Sequence, residues 1–158
     1  MERIPYDEAR DWFWVRTAVW FVPACLVSAM GCFEYAGTMI ETFKVRVIVS
    51  LISSLAATLL GLLAAGISMQ YPWMRLGWWK LWWLNSLIGA VIAAFLATGL
   101  SAIIQTVLRE TPGRVPGNHV YDTATSMMGV GIVIAAFWGA VFGAWFALRR
   151  DKYFVESI

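Results

Sequence analysis

Residues 124–152 read ATSMMGVGIVIAAFWGAVFGAWFALRRDK. From Ala124 to Leu148 nothing is ionisable, and then Arg149, Arg150 and Lys152 arrive together around Asp151. An apolar run longer than the roughly 20 residues that cross a bilayer, closed by a cationic stop, predicts a transmembrane helix. Inside the run, small residues recur at every fourth position: Gly131, Ala135, Gly139, Gly143 and Ala147. That spacing lays them along one helix face, and Gly139 with Gly143 matches the GxxxG pattern through which membrane helices approach closely.

Three further runs of the same kind precede it. The spans fall at approximately 13–33, 47–70, 81–108 and 124–148, within a single integral membrane domain over 1–158. The composition agrees: 60% of the residues are hydrophobic and only 14% charged, where soluble domains carry about 25% charge. A chain of this size has too little interior to hide that much apolar surface from water. Lipid offers no partner to an unpaired backbone amide, and four strands cannot close a barrel, so each span must be helical. The expected fold class is all-α: a polytopic four-transmembrane-helix bundle. The 81–108 span is longer than a hydrocarbon core of about 30 Å needs, and it is expected to tilt. Pro23, midway along the first span, removes one backbone donor and is expected to kink it.

Orientation follows from the cations. Arg3, Arg10, Arg16, Arg75, Lys80, Arg149, Arg150 and Lys152 fall on one side, against Lys44, Arg46, Arg109 and Arg114 on the other. The positive-inside rule then puts both termini in the cytoplasm (N-in/C-in), and the short-looped plan suits a bacterial cytoplasmic (inner) membrane. Glu2, Asp7, Glu8 and Asp11 spoil the basic start that a cleaved signal peptide requires. Tryptophans gather on the same side: Trp73, Trp78, Trp79, Trp82 and Trp83 form an expected interfacial anchor, joined by Trp12, Trp14 and Trp145. Indole rings settle at the headgroup level.

Small-residue rows mark every span. The first has Ala24, Ser28 and Cys32; the second Ser53, Ala57, Gly61 and Ala65; the third Gly89, Ala93, Ala97 and Ser101. Such rows either pack the four helices on one another or offer a face to a second subunit. The residues expected to carry this packing or interface are Gly61, Gly89, Ala93, Gly131, Ala135, Gly139 and Gly143.

The chemistry is sparse. The central turns of the spans hold no Asp, Glu, Lys, Arg or His, the residues that mark proton relays and ion paths within a bilayer. Polarity there is confined to hydroxyls such as Ser28, Ser53, Ser54, Thr58 and Thr98, while Asn85 and Gln105 sit nearer the ends of the third span, where each can tie helices together or meet interfacial water. His119 is the single histidine, which excludes a haem held by two histidines of this chain. Cys25 and Cys32 lie about 10 Å apart along a helix, too far to bridge. A polar cluster of Glu34, Glu41, His119 and Asp122, with neighbouring cations, is left on the side opposite the termini. Two carboxylates at each connection, Glu34 with Glu41 and Glu110 with Asp122, can hold a cation, though solvated loop charges look the same in sequence. No catalytic residue, cofactor or metal site is expected.

The net charge of +2 and the lack of a basic, aromatic-laced stretch argue against nucleic acid. The partners expected are the lipid bilayer and other membrane subunits, or further copies of the chain. These features describe a non-catalytic membrane subunit, an accessory or assembly protein working through helix–helix and loop contacts. The alternative is a small oligomeric transporter or channel.

Overall fold

The computed structural model describes residues 4–69, 73–110 and 120–155. A two-residue strand β1 (Ile4–Pro5) leads into helix α1 (Tyr6–Ala36). Helices α2 (Phe43–Ser68), α3 (Trp78–Arg109) and α4 (Val120–Tyr153) follow, and strand β2 (Phe154–Val155) closes the chain. All four helices are long and apolar enough to cross a membrane. The protein is an all-helical bundle of four candidate transmembrane helices.

Local chemistry sets the helix ends. Gly37 follows α1, and its N–H bonds back to the Phe33 carbonyl at 3.1 Å, while Ile40 N–H reaches the Ala36 carbonyl at 2.8 Å. The chain then turns through 38–42 into α2, whose preceding Thr42 has extended backbone (φ −75, ψ 115). Gly77 plays the same part before α3 with φ −63 and ψ 158. Helix α1 runs unbroken through Pro23, which has no N–H to give the Val19 carbonyl one turn earlier. Helix α1 begins before the apolar stretch, at Tyr6.

The helices do not share the interior equally. The α2 and α4 spans are 50% buried but the α1 span only 22%, so α2 and α4 form the centre while α3 and α1 flank them. Strands β1 and β2 pair in parallel, Ile4 opposite Phe154 and Pro5 opposite Val155. This joins the first and last described residues at one end of the bundle.

The core changes character along its length. At the end where the strands pair it is aromatic: Phe13, Phe142 and Phe146 with Leu62, ringed by Trp12, Trp14, Trp138 and Trp145. At the opposite end it is aliphatic, built from Ile40, Val49, Ile104, Leu108 and Met127. Between them is a narrow waist of alanines, Ala57, Ala93 and Ala135. Lipid tails are as apolar as leucine, so helix association here rests on close van der Waals fit rather than exclusion from water. The waist is where backbones come closest.

Candidate functional site

The small-residue rows meet at the waist. A Cβ built on Gly61 of α2 falls 2.9 Å from the Ala135 carbonyl oxygen, and one on Gly89 of α3 falls 2.6 Å from that same oxygen. A Cβ on Gly139 falls 2.6 Å from the Asn85 carbonyl oxygen, and one on Gly143 lands on the Asn85 side-chain amide. Gly131 is looser, with Leu100 Cδ2 at 3.6 Å, and Ala93 and Ala135 are buried beside Ala57. The α4 row therefore lies against α2 and α3 of its own chain. It is not an outward face.

One turn away, toward α1, the interior is polar. The Ser28 hydroxyl donates to the Ala24 carbonyl at 2.9 Å and accepts the Trp138 indole Nε1–H at 2.6 Å. Thr58 Oγ1 donates to the same Ser28 oxygen at 3.5 Å. A hydroxyl has one proton and two lone pairs, so Ser28 is saturated by partners from three helices. Cys25 Sγ lies 3.7 Å from Ser54 Oγ beside it. Trp138 belongs to no motif and was not among the expected site residues. The signal was its position, because an indole deep in a span needs a partner for its N–H.

Asn85 behaves otherwise. It is completely buried, and neither its amide oxygen nor its nitrogen has a hydrogen-bond partner among the described residues. The sequence suggested a tie between helices or a meeting with interfacial water. Instead the side chain fills the space left by Gly143, and a glycine offers no side-chain partner while its backbone serves its own helix.

The far polar cluster is dispersed. Glu34 pairs with Arg46 at 3.9 Å, while Glu41 in the α1–α2 connection and Asp122 in α4 are exposed. His119 and the rest of 111–119 lie outside the described residues. Among the described residues no three of His, Cys, Asp and Glu come together. The organised group at this end is Arg46. Its Nε donates to the Phe33 carbonyl at 2.6 Å, its guanidinium carbon stands 3.7 Å from the Phe33 ring centroid, and the group lies against Gly37. A cation on the last carbonyls of α1 suits the negative end of that helix and straps α2 to it.

The tryptophans separate into two sets. Trp78, Trp79 and Trp83 are exposed at the start of α3, in edge-to-face contact at 5.5 Å and 5.8 Å, with Trp82 half-buried and Trp73 exposed in the preceding turn. Trp12 and Trp14 instead pack inward. Trp12 stacks on Trp145 at 5.7 Å and 11°, and Trp14 covers Gly66 of α2.

Farther along the same interface α1 stands away from α4, leaving a cleft of about 420 Å³ between them. Comparison with known protein families, curated proteins and solved structures returns no match.

Proposed function

We propose that the protein is a non-catalytic membrane subunit, an accessory or assembly protein that acts through its outer helix faces and connections on neighbouring membrane proteins. The observation that carries this is the closed waist. At Gly61, Gly89 and Gly139 a single added carbon meets facing backbone at 2.6–2.9 Å, so the chain's own helices are in contact there, beside an apolar crevice of about 270 Å³ that opens at Ala57, Ala93 and Gly131. The central turns hold no ionisable group; Ser28, Ser54, Thr58 and Trp138 bond to one another or to helix carbonyls, and the buried Ser53 hydroxyl has no partner among the described residues. What remains to do work is the exterior, which is broad and apolar on α1 and α3. The proposed setting is a bacterial inner membrane with both termini cytoplasmic, supported by eight cations on the terminal side (Arg3, Arg10, Arg16, Arg75, Lys80, Arg149, Arg150, Lys152) against four opposite.

The test is purification of a C-terminally tagged copy from the native host in mild detergent, followed by native mass measurement and identification of co-eluting chains. A stoichiometric membrane partner is the expected result. A homo-oligomer that passes solutes in liposomes would replace the proposal with the oligomeric channel, whose pore would run between copies rather than through one.

A further inference from the structure

The cleft between α1 and α4 has a shape and a polarity that point to an occupant. Its α1 wall is formed by Trp20, Pro23 and Val27, and its α4 wall by Trp138, Phe142 and Trp145. The lining is almost wholly apolar, and one wall is fixed in place because the Trp138 indole is tethered to Ser28. Both walls continue into an arginine at the same end. On α1, Arg16, Trp20, Pro23 and Val27 follow the 4-3-4 spacing of a single helix face. On α4, Trp138, Phe142, Trp145 and Arg149 do likewise. The Arg16 guanidinium carbon lies 5.9 Å from the centroid of Trp12, the ring that stacks on Trp145 of the cleft. Arg149 stands one turn beyond Trp145 and is exposed. Glu8 and Asp11, exposed carboxylates of the same end, line a shallow concavity with the outer side of Arg16, Trp12, Val15 and Val19, and neither lines the cleft.

Length completes the argument. From Arg16 to Val27 the helix rises about 16 Å, which is one leaflet of a hydrocarbon core about 30 Å thick. An aromatic and aliphatic channel one leaflet long, with two cations where the headgroups begin, complements a single molecule with a fatty chain and a negative head.

We propose that the α1–α4 cleft is a binding site for one anionic glycerophospholipid of the leaflet at the terminal end. An acyl chain lies between Trp20 and Phe142, and the phosphate and headgroup face Arg16 and Arg149. The site is independent of whether the protein is an accessory subunit, and its test needs no partner protein.

The experiment is native mass spectrometry of the full chain released from nanodiscs of equal phosphatidylglycerol and phosphatidylcholine. The wild type is expected to retain one phosphatidylglycerol in preference to phosphatidylcholine. Arg16→Gln and Arg149→Gln should each lower that preference by about fivefold, as expected for one basic residue at an anionic lipid surface. Val27→Trp, which fills the cleft from an exposed position, should abolish retention of either lipid while helical circular dichroism is unchanged. Equal retention of the two lipids by the wild type overturns the proposal, as does retention by a folded Val27→Trp equal to wild type. Arg16 is exposed, so an unchanged lipid preference in Arg16→Gln overturns the proposal even where Val27→Trp fails to fold.

Discussion

The indole of Trp138 on α4 donates to the Ser28 hydroxyl of α1 at 2.6 Å, well inside both candidate spans. It is a direct side-chain hydrogen bond between these helices, and Thr58 adds α2 to the same oxygen. Because α1 is otherwise thinly buried, this junction is expected to hold it in place. Trp138→Phe should lower thermal stability in detergent by about 1 kcal/mol, the upper part of the range measured for hydrogen bonds between membrane helices. A double-mutant cycle with Ser28→Ala checks it. Additive losses would show that the bond contributes nothing and that only ring packing matters.

The glycines divide into two groups by the space around them. Gly61→Ala, Gly89→Ala and Gly139→Ala each force facing backbones apart, and overpacking of this kind costs about 1–3 kcal/mol. Gly31, Gly99 and Gly129 have nothing within 4 Å of a built Cβ, so alanine there should change stability by less than about 0.5 kcal/mol. Melting curves of the six variants in one detergent settle the point. If the two groups melted alike, the close approach at the waist would be refuted.

Arg46 and Glu34 form a pair whose members should respond unequally. The Arg46 side chain is 23% exposed and bonds the Phe33 carbonyl as well, whereas Glu34 is 84% exposed. Glu34→Gln should cost no more than about 0.5 kcal/mol, since solvent screens an exposed ion pair. Arg46→Ala should cost about 1.5–3 kcal/mol through the lost charged hydrogen bond to the end of α1. Unfolding in rising salt gives a second readout: the Arg46 contribution should persist where a surface ion pair would fade. Equal losses from the two substitutions would mean that the ion pair, and not the carbonyl contact, holds the turn.

Asn85 is expected to be a burden on stability. Its amide is buried without a partner among the described residues, and an unsatisfied buried polar group costs about 1–3 kcal/mol. Asn85→Ala removes that penalty while opening a small cavity, so the melting temperature should hold or rise. A clear fall would mean that the amide bonds to a buried water or to a neighbour outside the described residues, and hydrogen exchange at Gly139 and Gly143 would then locate it.

Four apolar stretches, their helical state and the small-residue rows were legible from residue type alone, because the bilayer leaves a long apolar segment one backbone solution. The seating of those rows was not. Gly131, Ala135, Gly139 and Gly143 define a face by their spacing, but spacing does not say what the face meets. The structure turns Gly139 and Gly143 onto Asn85 of α3, and Ala135 onto Gly61 and Gly89. The tryptophans show the same limit. Residue type foretold an aromatic terminal end, yet only the crossing of α1 over α4 decided that Trp12 stacks inward on Trp145 while Trp79 and Trp83 face out.

Residue type alone settled what an apolar solvent imposes on any chain: length, hydropathy and helical periodicity. These are one-dimensional properties, and a uniform apolar solvent reads them directly. What the tertiary structure decided was which atoms face each other. Ser28 accepting from Trp138, Arg46 capping α1, Asn85 left unpartnered and the cleft between α1 and α4 each require two helices at a fixed register and distance. Helix packing among apolar faces is set by close steric fit, in which a single methyl group at Gly89 counts for more than the hydropathy of a whole turn, and that fit exists only in three dimensions.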